Sequence, residues 1–337
     1  MRVKAAKAVV GAMLLLAATV AGCGSASDPA ASGTGTTRVA IILGGVANDG
    51  GFNEAGASSV QSLQQEGKVA AQVRESVSTA RDAEAIFRQY AAEGYDLVIG
   101  WSATFADSLY QVSTEFPKTR FLVTGDASDK QKVAANVETW NYDNLAFGYL
   151  LGWIAGNTQL SPIGVIDGQP LPAQQRKWRG FELGVHAVNP AATVRTPIYL
   201  GSWEDAQAAN QAAVAQLDSG ARLIATNSEG FSPGIAAAAA SRDVATVGMN
   251  STTSEVTKKI NVGRARLDMS PVMREVVARV QNGTFGGQTS ISTIQNHSLV
   301  LDTITKVAAT PALPDDLQNR GAELAQQLAD GKVTIGP

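Results

Sequence analysis

The residues of this chain best suited to chemistry gather just after short apolar runs. Behind RVAIIL (38–43) stands GGVANDGGFN, which puts a carboxylate (Asp49), a ring (Phe52) and an amide (Asn53) within five positions of a glycine-rich turn. Glycine accepts positive φ and lets backbone come close to a ligand. Trp101-Ser102-Ala103-Thr104 follows LVIG, and Asp126 follows RFLVT. Later runs are followed by Asp167-Gly168-Gln169, by Trp203 ahead of Glu204 and Asp205, by Asn227-Ser228-Glu229-Gly230, and by Asn250-Ser251-Thr252. Rings next to short amides and carboxylates suit the capture of a flat, polar small molecule. Stacking a base on one aromatic face contributes roughly 1–3 kcal/mol, so two faces with a few hydrogen bonds reach micromolar binding, about −8 kcal/mol.

The same set does not read as a catalyst. G-x-S-x-G, H-E-x-x-H, Walker A and G-x-G-x-x-G are all missing. Only two histidines occur, His186 and His297, too few for a histidine-rich metal site. Glu204 and Asp205 are adjacent, so they point to different helix faces and suit a helix start. No enzyme activity, cofactor or metal is expected. Simpler readings stand beside the binding one: Phe52 as a staple on the next helix, Asn53 as its cap, and any of the five tryptophans as core.

These residues need strand ends to stand on, and the pattern supplies them. Apolar β-like runs alternate with helical stretches, the mark of a parallel sheet flanked by helices. Strands are predicted at 38–43, 69–73, 97–100 and 120–124, with helices at 53–65, 80–94 and 105–116 between them. The pattern then restarts with a helix at 145–156. Strands follow at 163–166, 194–200, 223–226 and 245–248, with helices at 174–188 (carrying Trp178), 204–219 and 233–241. Segments at 262–267, 271–282, near Ile291 and near Leu299 look like returns between the lobes. The fold class is α/β, two doubly wound lobes with a ligand cleft between them. Such sheets bind ligands outside the carboxyl ends of their strands.

The N-terminus suggests where this body works. Arg2, Lys4 and Lys7 precede an apolar run from Ala8 to Val20, shorter than the roughly 20 residues a membrane-spanning helix needs but suited to a secretory leader. It ends in Val20-Ala21-Gly22-Cys23, which resembles the lipobox of bacterial lipoproteins, in which the cysteine carries the lipid. Cys23 is the sole cysteine, so no internal disulfide can form. Residues 24–37 are nearly all Gly, Ser, Ala, Thr and Pro, a flexible tether spanning on the order of 20 Å. The formal net charge of −3 becomes more acidic once the basic leader is removed. No Lys/Arg block follows, so nucleic acid is not an expected partner. The expected divisions are a leader and lipobox at 1–23, a tether at 24–37, a first lobe at 38–143 plus about 254–284, and a second lobe at 144–253 plus about 285–337.

The motif Asp49-Gly-Gly-Phe-Asn resembles the D-x-S-F-N signature of the basic-membrane-protein family, the PnrA-type purine nucleoside receptors. GYDLVIGWS, FPKTRFLVTGD, YLLG, WRGFELGVHAVNP, YLGSWED, SGARLIATNSEG, VATVGMN and LADGKVTIGP agree with that family in order, so the likeness runs from about Arg38 to the C-terminus. It implies a type I periplasmic-binding-protein fold, a small-molecule ligand in the cleft and an ABC permease as partner. It puts Phe52 and Trp203 where the family sandwiches the purine, and Asp49 and Asn53 on the entrance motif. Asn250 falls where the family has an acid for the ribose, and Arg266 (or Arg264) where it has a lysine. Leu43 and Ala146 also stand where family members carry acids. An asparagine can still donate and accept with a diol, without the stronger charge-assisted bond.

The candidate ligand residues are therefore Asp49, Phe52, Asn53, Trp101, Asp126, Trp203, Asn227, Gly230, Asn250 and Arg266, with Cys23 as the lipidation site. The expected function is that of a monomeric lipoprotein held on the extracytoplasmic side of the cell membrane, delivering a nucleoside to an ABC importer by closure of the two lobes. A sensing lipoprotein without transport, and a receptor for a sugar or other small polar ligand, remain as alternatives.

Overall fold

The computed structural model describes residues 35–125, 134–250 and 254–336. Cys23, the leader, most of the tether and Asp126 lie outside the described residues.

The first lobe opens with β1 (Thr37–Leu43), α1 (Phe52–Gln65), β2 (Val69–Arg74), α2 (Ala80–Ala92), β3 (Leu97–Trp101), α3 (Ala106–Glu115), β4 (Arg120–Thr124) and β5 (Val137–Tyr142). The second follows with α4 (Asn144–Asn157), β6 (Ile163–Asp167), α5 (Pro172–Val188), β7 (Ile198–Tyr199), α6 (Ala206–Asp218), β8 (Leu223–Ala225), α7 (Ser232–Ala240), β9 (Ala245–Val247) and α8 (Glu255–Ile260). The chain ends with β10 (Ala265–Leu267), α9 (Ser270–Gln281), β11 (Thr289–Ser292), β12 (Leu299–Leu301) and α10 (Leu317–Ala329).

Two parallel sheets result, one ordered β11-β5-β4-β3-β1-β2 and the other β7-β6-β8-β9, with β10 and β12 forming a short antiparallel pair. The central strands are buried on both faces, which is why they read as unbroken apolar runs. In β1, Val39, Ile41 and Leu43 pack on the face that meets α1 and α9. Ala40 and Ile42 pack on the face that meets α2 and α3. The second sheet behaves alike: Leu223 and Ala225 share a core with residues of α4 and α5, while Ile224 faces those of α6 and α7.

Helix α4 is apolar all round and almost wholly buried because it packs on α5 and also meets the returning β10. At 14 residues it is too short to span a bilayer, and no helix among the described residues is long and apolar enough to do so.

Three differences from the sequence-based expectation bear on the lobes. Residues 254–284 do not all join the first lobe: α8 packs against α7, and Asn261 bridges to Thr246 beside β9, while α9 returns to pack on α1. Residues 285–337 do not all join the second lobe, because β11 extends the first sheet beside β5. The predicted strand at 194–200 shrinks to Ile198–Tyr199 with an isolated bridge at Val194. The chain thus passes between the sheets after β5, between β9 and α9, and after β11.

Candidate functional site

The carboxyl ends of both sheets meet where the first turn of α1 faces the loop after β8. Asp49 organises the first-lobe side. One of its oxygens accepts the N–H groups of Gly51 (2.9 Å) and Glu54 (3.0 Å); the other accepts Asn53 N–H (3.1 Å) and Asn53 Nδ2 (2.8 Å). Asn53 Oδ1 in turn accepts Gly45 N–H at 3.2 Å. Orphan donors at a helix start need such partners. Asp49 and Asn53, both expected at the ligand, spend most of their hydrogen bonds shaping the turn that presents Phe52.

Phe52 heads a pile of rings. Its centroid lies 5.3 Å from Trp101 and 6.0 Å from Trp140, and the two indoles stack on each other at 4.4 Å with 14° between planes. Tyr142 continues the row 6.2 Å beyond Trp140. Trp101 and Trp140 are fully enclosed, and each indole N–H is satisfied: Trp101 donates to the Phe52 carbonyl (2.8 Å) and Trp140 to Ser292 Oγ (2.9 Å). Trp101, expected to touch ligand, instead sits behind Phe52 and fixes its backbone and ring. Phe52 itself is half-buried. Leu43 is an apolar floor in this core and Ala146 is buried among residues of α4 and β10, so neither position offers a polar group.

The second lobe reaches across at Glu229. Its Oε1 accepts Phe52 N–H at 2.8 Å and Asn250 Nδ2 at 2.5 Å. A Cβ at position 51 would collide with this carboxylate, so only glycine lets the lobes approach here. Burial, and next the Asp49 charge, push the Glu229 carboxyl up to about 7, against the opposing effect of its bonds from Phe52 and Asn250. Burial and then Asp49 likewise raise Glu204. Trp203, half-buried, packs its ring over Gly168 at the end of β6, where a side chain would strike the indole. Its carbonyl and the Glu204 carboxylate both crowd Gly230. The Phe52 N–H and the Trp203 carbonyl thus reach the same dipeptide, Glu229-Gly230, from opposite lobes.

Arg264 is a second tie. It donates to the carbonyl of Gly50 in the first lobe, to that of Asn250 in the second (2.6 Å), and to Asp302 (2.7 Å). Burial alone would raise Asp302, yet the bonds from Arg264 and from the Thr303 backbone hold it below the usual carboxylate range. Arg266 stands 3.9 Å from Asp302 with its side chain 39% exposed. Of the two arginines, Arg264 is therefore the one at the junction.

A charged cluster lies deeper in the second lobe. Lys177 Nζ is 3.1 Å from Asp167 Oδ2, the two side chains being 1% and 0% exposed, and 3.4 Å from Asn227 Oδ1. Asp167 also accepts Trp178 Nε1 at 2.6 Å and Gly168 N–H at 2.8 Å. Tyr142 approaches from the first lobe. Burial, then the charges of Asp167 and Glu229, raise its phenol, while a bond from Gln174 works the other way. Among the expected residues, Phe52, Trp203, Asn227, Gly230 and Asn250 meet at or beside this junction. Glu229, Asp167, Lys177, Gln174 and Tyr142 join them without having been selected, as does Arg264, the alternative to Arg266. The signal for Glu229 and Asp167 was their place directly after strands. No group of three or more His, Cys, Asp or Glu side chains suited to a metal occurs among the described residues.

Comparison with known proteins agrees with this architecture. The profile of the ABC transporter substrate-binding protein family described as PnrA-like (Bmp) matches residues 36–311. A solute-binding protein of an ABC transporter system from Conexibacter woesei superposes with a TM-score of 0.75 at 33% identity, over 89% of this chain and 99% of that one. A CD4+ T-cell-stimulating antigen from Listeria innocua is 26% identical over 96% of both chains. A putative ABC transporter glucose-binding protein, TsgA13 of Haloferax volcanii, is 29% identical over 50% of this chain, and the match spans only 42% of that protein. The chain has the periplasmic-binding-protein fold and belongs to the PnrA-like family of ABC transporter substrate-binding proteins.

Proposed function

We propose that the protein is a monomeric, lipid-anchored receptor on the extracytoplasmic side of the cell membrane, and that it delivers a purine or related nucleoside to its ABC permease. The observation that supports this ligand is the placement of Phe52 and Trp203. Phe52 is a half-buried ring braced from behind by two stacked indoles, and in the other lobe the Trp203 carbonyl adjoins Gly230 while its indole lies over Gly168. Rings from both lobes, with amides (Asn227, Asn250) and a carboxyl group (Glu229) in the same region, suit a ligand ring with polar edges. Closure then follows from mass action: a ligand touching both lobes binds the closed form better and shifts the population toward it. Cys23 would carry the lipid, and the tether would let the body reach its permease.

A sugar is the second reading, favoured by the partial likeness to a glucose-binding protein and by Asn250 standing where a ribose-binding acid is expected. Tryptophan fluorescence titration with inosine, adenosine, ribose and glucose separates the two. Saturable nucleoside binding with no response to either free sugar is the expected result. Saturation by glucose alone would overturn the nucleoside assignment, and release of free base on incubation would overturn the receptor role.

A further inference from the structure

The three passages between the sheets share one residue. Ser292 is fully buried and ends β11, where the third passage begins. Its carbonyl accepts the N–H of Asp143, at the first passage, at 2.9 Å. Its hydroxyl donates to Sδ of Met269, which precedes α9 at the end of the second passage, at 3.3 Å. The same oxygen accepts Trp140 Nε1 at 2.9 Å. A serine hydroxyl has one donor and two acceptor sites, so this one joins the hinge to an indole of the first lobe.

From that indole the contacts run on without a gap. Trp140 stacks on Trp101 at 4.4 Å with 14° between planes. Trp101 Nε1 donates to the Phe52 carbonyl at 2.8 Å, and the Phe52 N–H donates to Glu229 of the second lobe at 2.8 Å. Phe52 is therefore held on one side by a column footed on the hinge and on the other by the opposite lobe. Close-packed rings transmit a displacement instead of absorbing it, and a buried indole N–H deprived of its acceptor recovers a bond only by shifting. We propose that Ser292 is a positioning residue: acting through Trp140 and Trp101, it sets the place of Phe52, so that the hinge and the bond between Phe52 and Glu229 move as one. Its consequence for ligand rests on the reading of Phe52 as a wall of the binding site; the relay itself does not.

Hydrogen–deuterium exchange of the ligand-free full chain tests the relay. In Ser292→Ala the acceptor is gone, and exchange over residues 50–55, which include the Phe52 amide, should rise about fivefold, the scale of one lost hydrogen bond. Residues 223–225 of β8 should keep their wild-type rate. Ser292→Thr and Ser292→Val differ in little but the hydroxyl, so they keep the test readable even if the alanine variant unfolds. The threonine protein should exchange over 50–55 about fivefold more slowly than the valine protein. Equal rates in those two proteins, or a rise shared evenly by 50–55 and 223–225, overturns the relay and makes Ser292 an ordinary core residue. Calorimetric titration with inosine reads the consequence, and the alanine variant should bind about fivefold more weakly. Faster exchange over 50–55 with unaltered inosine affinity supports the relay and overturns Phe52 as a ligand wall. No inosine binding by the wild-type protein overturns the nucleoside reading, and exchange alone then decides the relay.

Discussion

The two walls of the junction are built from different materials. The first lobe offers stacked rings, Phe52 on Trp101 on Trp140, whose polar N–H groups are answered by neutral oxygens. The second offers Asp167, Lys177, Asn227 and Glu229, charged or polar groups drawn out of water. An aromatic wall gains its strength from close packing and stays the same at any pH. A buried polar wall costs desolvation, so it depends on every partner and on protonation. Shape and chemical selectivity are thereby divided between lobes, and a ligand must satisfy both for them to stay shut.

That contrast can be broken in stages. Trp101→Ala should cost about 3–5 kcal/mol by leaving a cavity under Phe52, read as a lower urea midpoint; a loss below about 1 kcal/mol would mean that the pile does not brace the wall. Lys177→Met should cost a similar amount or slightly less, about 3 kcal/mol, by stranding Asp167, and a wild-type melting point in this variant would show that water reaches the pair. Trp203→Ala should weaken nucleoside binding by about tenfold, near 1.4 kcal/mol, with the melting point of the free protein nearly unchanged. Unaltered affinity would make Trp203 a rim residue.

The pH response should be smaller and confined to the second wall. Burial holds Glu229 at about 7, above the 4.5 of a solvated glutamate, so the closed junction favours the protonated acid. The contribution to closure is complete below pH 4.5 and is lost as the pH rises through about 7. The Asp49 charge acts on this group on the unfavourable side, while Phe52 N–H and Asn250 stabilise its charge. Affinity should fall between about pH 5.5 and 8, and Glu229→Gln should flatten the profile. An equal slope in the variant would place the titrating group elsewhere. Smallest of all, Arg266→Ala should change stability by less than about 0.5 kcal/mol, as expected of an exposed side chain 3.9 Å from its partner.

The same contrast governs what the sequence revealed. Runs such as RVAIIL and LVIG are strands buried on both faces and were legible as such. β5, VETWNY, was missed because Glu138 interrupts its apolar pattern. That glutamate is fully buried, held by Arg279 at 2.6 Å and by Gly286 N–H at 2.9 Å, partners far away in the chain. Trp140 and Tyr142 were lost with it. α10, LQNRGAELAQQLA, was also missed, because its apolar face is narrow: only Leu317, Gly321 and Leu328 of its residues are buried. At the site, Phe52 and Trp203 were legible from their places after strands and from family likeness. Trp101 obeyed the same rule yet turned inward, because strand alternation decides which face a terminal residue joins. Glu229 does follow a strand, but its bond to Phe52 and the burial of Lys177 arise from packing between elements, which spacing does not encode.

The most direct test of the central claim is a crystal structure of the protein with inosine in the cleft. The base plane is expected within about 4 Å of both the Phe52 and the Trp203 rings, the range of good carbon contacts. Finding inosine bound elsewhere, or bound with Trp203 facing away from it, would contradict the account.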